Sequence, residues 1–388
     1  MRSMKIKFKK KDVFFFLLVI TYALRAVTDA IFVSQGISSI WTAAKYATLL
    51  LAIVYGLCCL YCGGHKWKYL HILWNILGVA VAFFLISLLK MIQSGIFSTA
   101  IFENVVYMVL PAIVTVIAIS IADESDIYNC FCWILCVAFF VYCVIEVGLG
   151  MFVQDSFAMI SFGESMSPFE SHYTSATAMA LSAYFSLHRQ KKGITVLSFV
   201  FSLLTFKRVF VLCSIVLFCI PLLIDVYKKV NKYVHALFAV GICAMAVGYY
   251  WCLIPENHAV LEELLGIESV YEFTSSRSGF FEYIYANPRF VNFGWGSCEA
   301  FLGRSLEMEL IQMLFEVTFI GMAVFVCTYW KLAGTTIYGM IYMGFHFLNM
   351  LTSHCLQNAF VWIIVLITFT QIENDPQASW KRRIWFTC

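Results

Sequence analysis

Apolar runs of roughly twenty residues recur along this chain, separated by short polar joints, and nothing else about it limits the possible folds so strongly. Inside hydrocarbon every backbone N–H and C=O must be satisfied by the protein itself, so such a run crosses as a helix or as part of a closed barrel. No two-residue alternation recurs, which leaves helices. The candidate spans are 13–33, 41–62, 70–90, 104–122, 128–149, 172–188, 194–206, 209–226, 234–253, 310–330, 335–350 and 355–371. They predict an all-α, polytopic transmembrane helical bundle of about twelve spans, a single integral membrane domain over 1–388. Charged residues make up only 13% of the chain, against roughly a quarter in soluble domains. The lipid bilayer is therefore the first partner to expect. The net charge of +3 argues against a nucleic-acid partner.

The basic residues orient the spans. With the N-terminus inside and strict alternation, the inner segments hold most of the 26 basic residues. They carry Arg2 and Lys5 to Lys11, Lys66 and Lys68, Arg189 to Lys192, Lys228 to Lys232, Lys331, and Lys381 to Arg383. Both termini are then cytoplasmic. One predicted inner loop, 122–129, is acidic instead. The opening MRSMKIKFKKK leads into a run too long for a signal peptide and ending in Thr28-Asp29-Ala30, so it reads as a retained first helix. Two predicted outer loops are long, 150–171 and above all 254–309. The larger has helical-looking stretches at 258–266 and 279–286, so a folded cap is expected there.

The 15 cysteines fall mostly within apolar runs and show no metal-ligand spacing; only Cys298 is placed in an outer loop. Neither a disulfide framework nor a metal site is expected. Charges within or beside spans are Arg25, Asp29, Lys45, Lys90, Lys207 and Arg208. Arg25 and Asp29 are four apart and can pair. Lys207 and Arg208 end a run too short to cross alone, and a tight turn is expected there. No acid lies near Arg208 in sequence, and a bound phosphate would suit its planar guanidinium. In the large loop, Arg277 follows Thr274-Ser275-Ser276, which reads as a helix cap, and Gly294-Trp295-Gly296 permits a close backbone approach. Glu307 and Glu309 stand where the tenth span begins; each is a general-base candidate or a dipole-favoured helix start. Glu316 lies deeper and is either a buried partner for one of the arginines or a structural hydrogen-bonding group.

Taken in order, the Lys207-Arg208 turn, the loop sequence SRSGFFEYIYANPRFVNFGWGS and the stretch ELIQMLFEVTFIG resemble the O-antigen polymerase and ligase superfamily, the Wzy-type glycan polymerases and O-antigen ligases. The likeness covers about 200–325 by motif and the rest by span pattern. It implies a GT-C-like membrane glycosyltransferase of the bacterial cytoplasmic membrane, independent of nucleotides, metals and other cofactors. Its substrate would be an undecaprenyl-diphosphate-linked oligosaccharide, with a chain-length regulator and a flippase as further partners. By position, Arg208, Arg277 and Lys207 would bind the diphosphate, and Glu307 would be the catalytic base with Glu309 as its rival. Glu170, His172, Arg289, Trp295 and Glu316 are further cleft candidates. Ligases carry His where this chain has Glu307, which favours polymerase over ligase. A transporter is the reading from a different class. The glycine of the family pattern two residues beyond Glu316 is Thr318 here.

Overall fold

Long apolar runs without strand periodicity leave the backbone one way to satisfy itself in lipid, and the chain takes it. The computed structural model describes residues 10–35, 39–146, 172–274 and 276–374, and among these every named element is helical. The 150–171 loop and Glu170 lie outside the described residues. Seven helices are long and apolar enough to cross a membrane: Lys10–Ile31, Ile40–Cys62, Leu70–Ser94, Ala100–Ile121, Glu124–Val144, Lys232–Leu253 and Glu309–Leu332. Three shorter apolar helices are Lys192–Leu204, Arg208–Leu223 and Ala359–Ile372. Length alone thus supports seven crossings among the described residues, fewer than the twelve runs predict. The remaining runs form helices of 13 to 16 residues, shorter than the roughly twenty a crossing needs.

Two compact units divide the chain. The first contains α1 (Lys10–Gln35), α2 (Ser39–Cys62), the 111–121 part of α4 (Ala100–Ile121), α5 (Glu124–Val141), α6 (His172–Leu187), α7 (Lys192–Leu204), α8 (Arg208–Leu223) and nearly all of α16 (Ala359–Asn374). Here α1 packs on α2 and α5, and α6 packs on α7 and α8. Helix α6 is buried on nearly every described face, which its run of Ala, Ser and Thr allows by letting neighbouring backbones approach. Arg25 Nη2 meets Asp29 Oδ1 at 3.1 Å, the expected same-face pair. The Lys207-Arg208 turn is present between α7 and α8, with Phe206 at φ 54° and Ser202 Oγ 2.6 Å from Ser214 Oγ bracing the hairpin.

The acidic 122–129 segment finds its charge partner in the first helix. Lys11 Nζ lies 2.5 Å from Asp126 and 3.3 Å from Asp123. Asp123 and Asp126 also form a reciprocal cap at the start of α5, so the helix begins earlier than the apolar run. Lys68 N–H donates to Ser120 Oγ, and His188 Nδ1 lies 3.1 Å from Glu124. Four segments predicted to share one side therefore meet at one end of this unit.

The second unit holds most of α3 (Leu70–Ser94), residues 100–110, α9 (Lys232–Leu253), the 254–308 segment, α14 (Glu309–Leu332) and α15 (Ile337–Thr352). Helix α14 packs on α9 and α15. The 254–308 segment is folded, as its helical stretches predict. It contains α10 (His258–Leu265), α11 (Val270–Phe273), α12 (Arg277–Tyr285) and α13 (Ser297–Leu302).

Helix α14 is broken at Val317-Thr318, the position where the family pattern carries glycine. Val317 lies at φ −115°, ψ 15° and Thr318 at φ 68°, ψ 171°. The second is a glycine region of backbone space, and a β-branched residue there costs on the order of 1–3 kcal/mol. The break leaves Phe315 C=O to accept from Asn292 Nδ2 at 2.8 Å. Thr318 is exposed, so its side chain contributes little packing. Thr318→Gly should therefore raise the thermal unfolding midpoint in detergent by about 1 kcal/mol equivalent, and Thr318→Ala, still strained, should not. Equal behaviour of the two variants would show that the break carries no strain.

Candidate active site

The second unit gathers four of the predicted site residues at the start of α14: Arg277, Glu307, Glu309 and Glu316. Arg277 is the first residue of α12. Of the Thr274-Ser275-Ser276 cap expected here, Ser276 takes a left-handed turn at φ 68° and makes no cap hydrogen bond. Thr274 does the capping: its hydroxyl accepts from Ser278 N–H at 3.1 Å and donates to Val270 C=O. This turn points the guanidinium inward. Nη1 donates to Thr274 C=O at 3.2 Å, while Nε is buried with no hydrogen-bond partner. Nη2 stands 4.0 Å from Glu307 Oε2. Glu307 keeps 54% of its side chain exposed and Arg277 24%. A pair at that distance and exposure is weak, so an anion can displace the carboxylate from the guanidinium. Nearby, Arg304 stacks its guanidinium 4.1 Å over the Phe280 ring and adds a second cation beside α12.

Two buried carboxylates hold the loops around this pair. Glu316 is wholly buried. It accepts from Gly296 N–H at 2.9 Å, Cys298 N–H at 2.5 Å and Gln312 Nε2 at 3.0 Å. Two of those donors are backbone N–H groups where the chain enters α13. The Gly-Trp-Gly turn leads into that helix with Gly294 and Gly296 at φ 107° and 101°. A Cβ on Gly294 would lie 2.5 Å from Ser87, so the close approach that glycine allows is to α3. Trp295 follows the same logic: its backbone N–H donates to Ser87 Oγ at 2.9 Å, and its buried ring sits edge-on to Phe83 at 4.6 Å.

Glu309, equally buried, accepts from Cys355 and Leu356 N–H at 2.9–3.1 Å. These donors belong to the joint between α15 and α16. His354 lies in the same joint, its Nε2 3.8 Å from Glu309 Oε1. Burial holds the imidazole down to about 4, against a contact with the Leu306 backbone that works the other way. A second tie crosses the same joint: Gln357 Nε2 donates to both oxygens of Glu299 at 3.0–3.2 Å. Burial raises the Glu299 carboxyl, opposed by that hydrogen bond.

Lys207 and Arg208 belong to the first unit, at the start of α8. Lys207 Nζ sits 5.2 Å over the Phe210 ring. Arg208 is exposed and has an interaction of its own, so the partnerless cation the sequence suggests is not found. Arg289 is exposed after α12. His172 begins α6; its side chain and Glu170 are outside the description. Sequence reasoning missed His354, Glu299 and Gln357. The one signal for His354 was its position in a joint too short to be anything but a connection between two spans. Among the described residues no group of His, Cys, Asp and Glu could hold a metal ion. Comparison with known proteins returns nothing: no family model, no curated protein and no solved structure matches the chain.

The contacts separate two roles among the three carboxylates. Glu309→Gln and Glu316→Gln each replace an accepting oxygen by an N–H₂ facing backbone donors. Each should lower unfolding stability by about 1–3 kcal/mol, while Glu307→Gln should leave it unchanged; calorimetry or a thermofluor scan reads the difference. His354 adds a pH dependence. Its folded form is the neutral one, so the stability it contributes is full above its ordinary 6.5 and is lost as pH falls toward about 4. His354→Gln should flatten the midpoint-versus-pH curve across that window.

Proposed function

We propose that the chain is a membrane glycosyltransferase that joins undecaprenyl-diphosphate-linked oligosaccharide units into a surface polysaccharide. The reaction would occur at the outer face of the bacterial cytoplasmic membrane, in a twelve-span topology with both termini inside. One observation carries this reading: a half-buried guanidinium with an unsatisfied Nε faces a half-exposed carboxylate at 4.0 Å, where the folded 254–308 segment meets α14. The order of sequence motifs is the second support.

The chemistry that fits is a displacement at an anomeric carbon. Arg277 would bind the diphosphate and stabilise the charge that grows on it as the glycosidic C–O bond breaks. Glu307, released from the ion pair, would accept the proton of the attacking hydroxyl. The new C–O bond forms as the lipid diphosphate leaves with the bonding electrons, and direct displacement inverts the anomeric centre. Glu309, whose oxygens are occupied by backbone N–H groups, is the weaker base. Lys207 and Arg208 are the further diphosphate contacts that the resemblance implies. Ligation to a different acceptor would use the same donor and the same two residues.

Incubation of purified protein with undecaprenyl-diphosphate oligosaccharide should yield a ladder of lengthened products. Arg277→Ala and Glu307→Gln should each cut product formation by about 10²-fold or more without loss of folded protein. Wild-type-length products from both variants would remove the assignment. The broken helix α14 favours one other reading, a lipid-oligosaccharide transporter, since transporters build substrate sites at helix breaks. That reading expects the lipid to change leaflets in proteoliposomes with its glycan unextended.

A further inference from the structure

The second unit also carries an apolar groove that the proposed chemistry does not use. It lies between α9, α14 and α15 and encloses about 470 Å³. Its twelve lining residues are all apolar or glycine, among them Phe238, Ile242, Trp330, Ile341 and Gly344. Trp330 is fixed at its wall: the indole N–H donates to His235 C=O at 2.9 Å, and Phe238 stacks on the ring. A Cβ added to Gly344 would meet nothing within 4 Å, so the groove is open above that residue.

One end of the groove is basic. Val230 and Ile337 line it there. The backbone around them is stitched together: Val230 N–H donates to Thr335 C=O at 2.7 Å, and Ile337 N–H to Lys228 C=O at 3.1 Å. Lys229 bridges Thr336 in the same stitch. Lys228 and Lys229 are thereby held against the groove mouth, with Lys232 opening α9 and Lys331 in the last turn of α14 beside Trp330. All four lysines are exposed. Neither 226–253 nor 317–353 contains an Asp or Glu to offset them. The nearest acid in sequence, Asp225, accepts the N–H of Tyr227.

A hydrocarbon-lined channel ending in several ammonium groups matches one kind of molecule, an apolar chain with an anionic head. We propose that this groove is a binding site for an anionic diacyl phospholipid, one acyl chain lying along Trp330 and Gly344 and the phosphate among Lys228, Lys229, Lys232 and Lys331. The site depends on the protein being in a membrane and is independent of the glycosyltransferase reading.

Native mass spectrometry of the full-length protein, released from micelles carrying phosphatidylglycerol or phosphatidylcholine, tests it. The wild type should retain phosphatidylglycerol roughly tenfold better than phosphatidylcholine, since each lysine near a headgroup contributes about 1 kcal/mol. The triple variant Lys228→Gln, Lys229→Gln, Lys232→Gln alters only exposed side chains and should lose that preference. Gly344→Phe fills the groove from a helical position with free space and should lose retention of both lipids. Equal retention of the two lipids by the wild type would overturn the proposal, as would undiminished retention by Gly344→Phe. A wild-type dimer that Gly344→Phe dissociates would also overturn it, giving the groove to a second copy of the chain.

Discussion

A buried carboxyl group can stay only if its oxygens are satisfied, and Glu316 and Glu309 meet that condition by accepting from backbone N–H groups in distant parts of the second unit. Leaving a buried polar group without partners costs about 1–3 kcal/mol, and the hydrogen bonds these carboxyl oxygens accept offset that cost. Glu316 draws its donors from the chain entering α13 and from Gln312 one turn back. Glu309 draws its donors from the joint between α15 and α16. Two glutamates about two turns apart on α14 thus fasten two loops to one helix end, and Arg277 and Glu307 face each other beside it. Were either carboxylate lost, the orphaned N–H groups would have to find water, and the loops could reach it only by moving.

The break in α14 belongs to the same construction. An unbroken helix would use Phe315 C=O within its own ladder. With Val317 and Thr318 out of helical conformation, that carbonyl turns to Asn292, and the segment before the Gly-Trp-Gly turn gains its own tie. In hydrocarbon a helix tolerates such an interruption only where protein replaces the missing partners, and here Asn292 does so.

Charge does its structural work at helix ends. Lys11 bridges Asp123 and Asp126, and the Lys228–Val230 strand-like stitch to Thr335–Ile337 places lysines where α9 and α15 begin. The first arrangement shows how an acidic segment sits among basic ones: Lys11 of the helix packed against it offsets part of its charge. The second leaves positive charge uncancelled beside an apolar groove.

Helical class, membrane character and the positions of most helices were legible from the residues, because apolar length and the lack of two-residue alternation are local properties that hydrocarbon enforces run by run. The helices at 258–265 and 277–285 and the Arg25–Asp29 pair were legible for the same local reason. The meeting of Arg277 with Glu307 was suggested by motif order, but the roles of the three glutamates were not readable: they lie within ten residues, and a sequence does not show which one faces water. Only the tertiary structure decided that Glu316 and Glu309 hold backbone while Glu307 stays half exposed, that Thr274 and not Ser276 caps α12, and that His354 and Gln357 stand beside the site. Each of those outcomes depends on partners 18 to 58 positions away or on a backbone turn, and a burial that distant segments create is not encoded in any one of them.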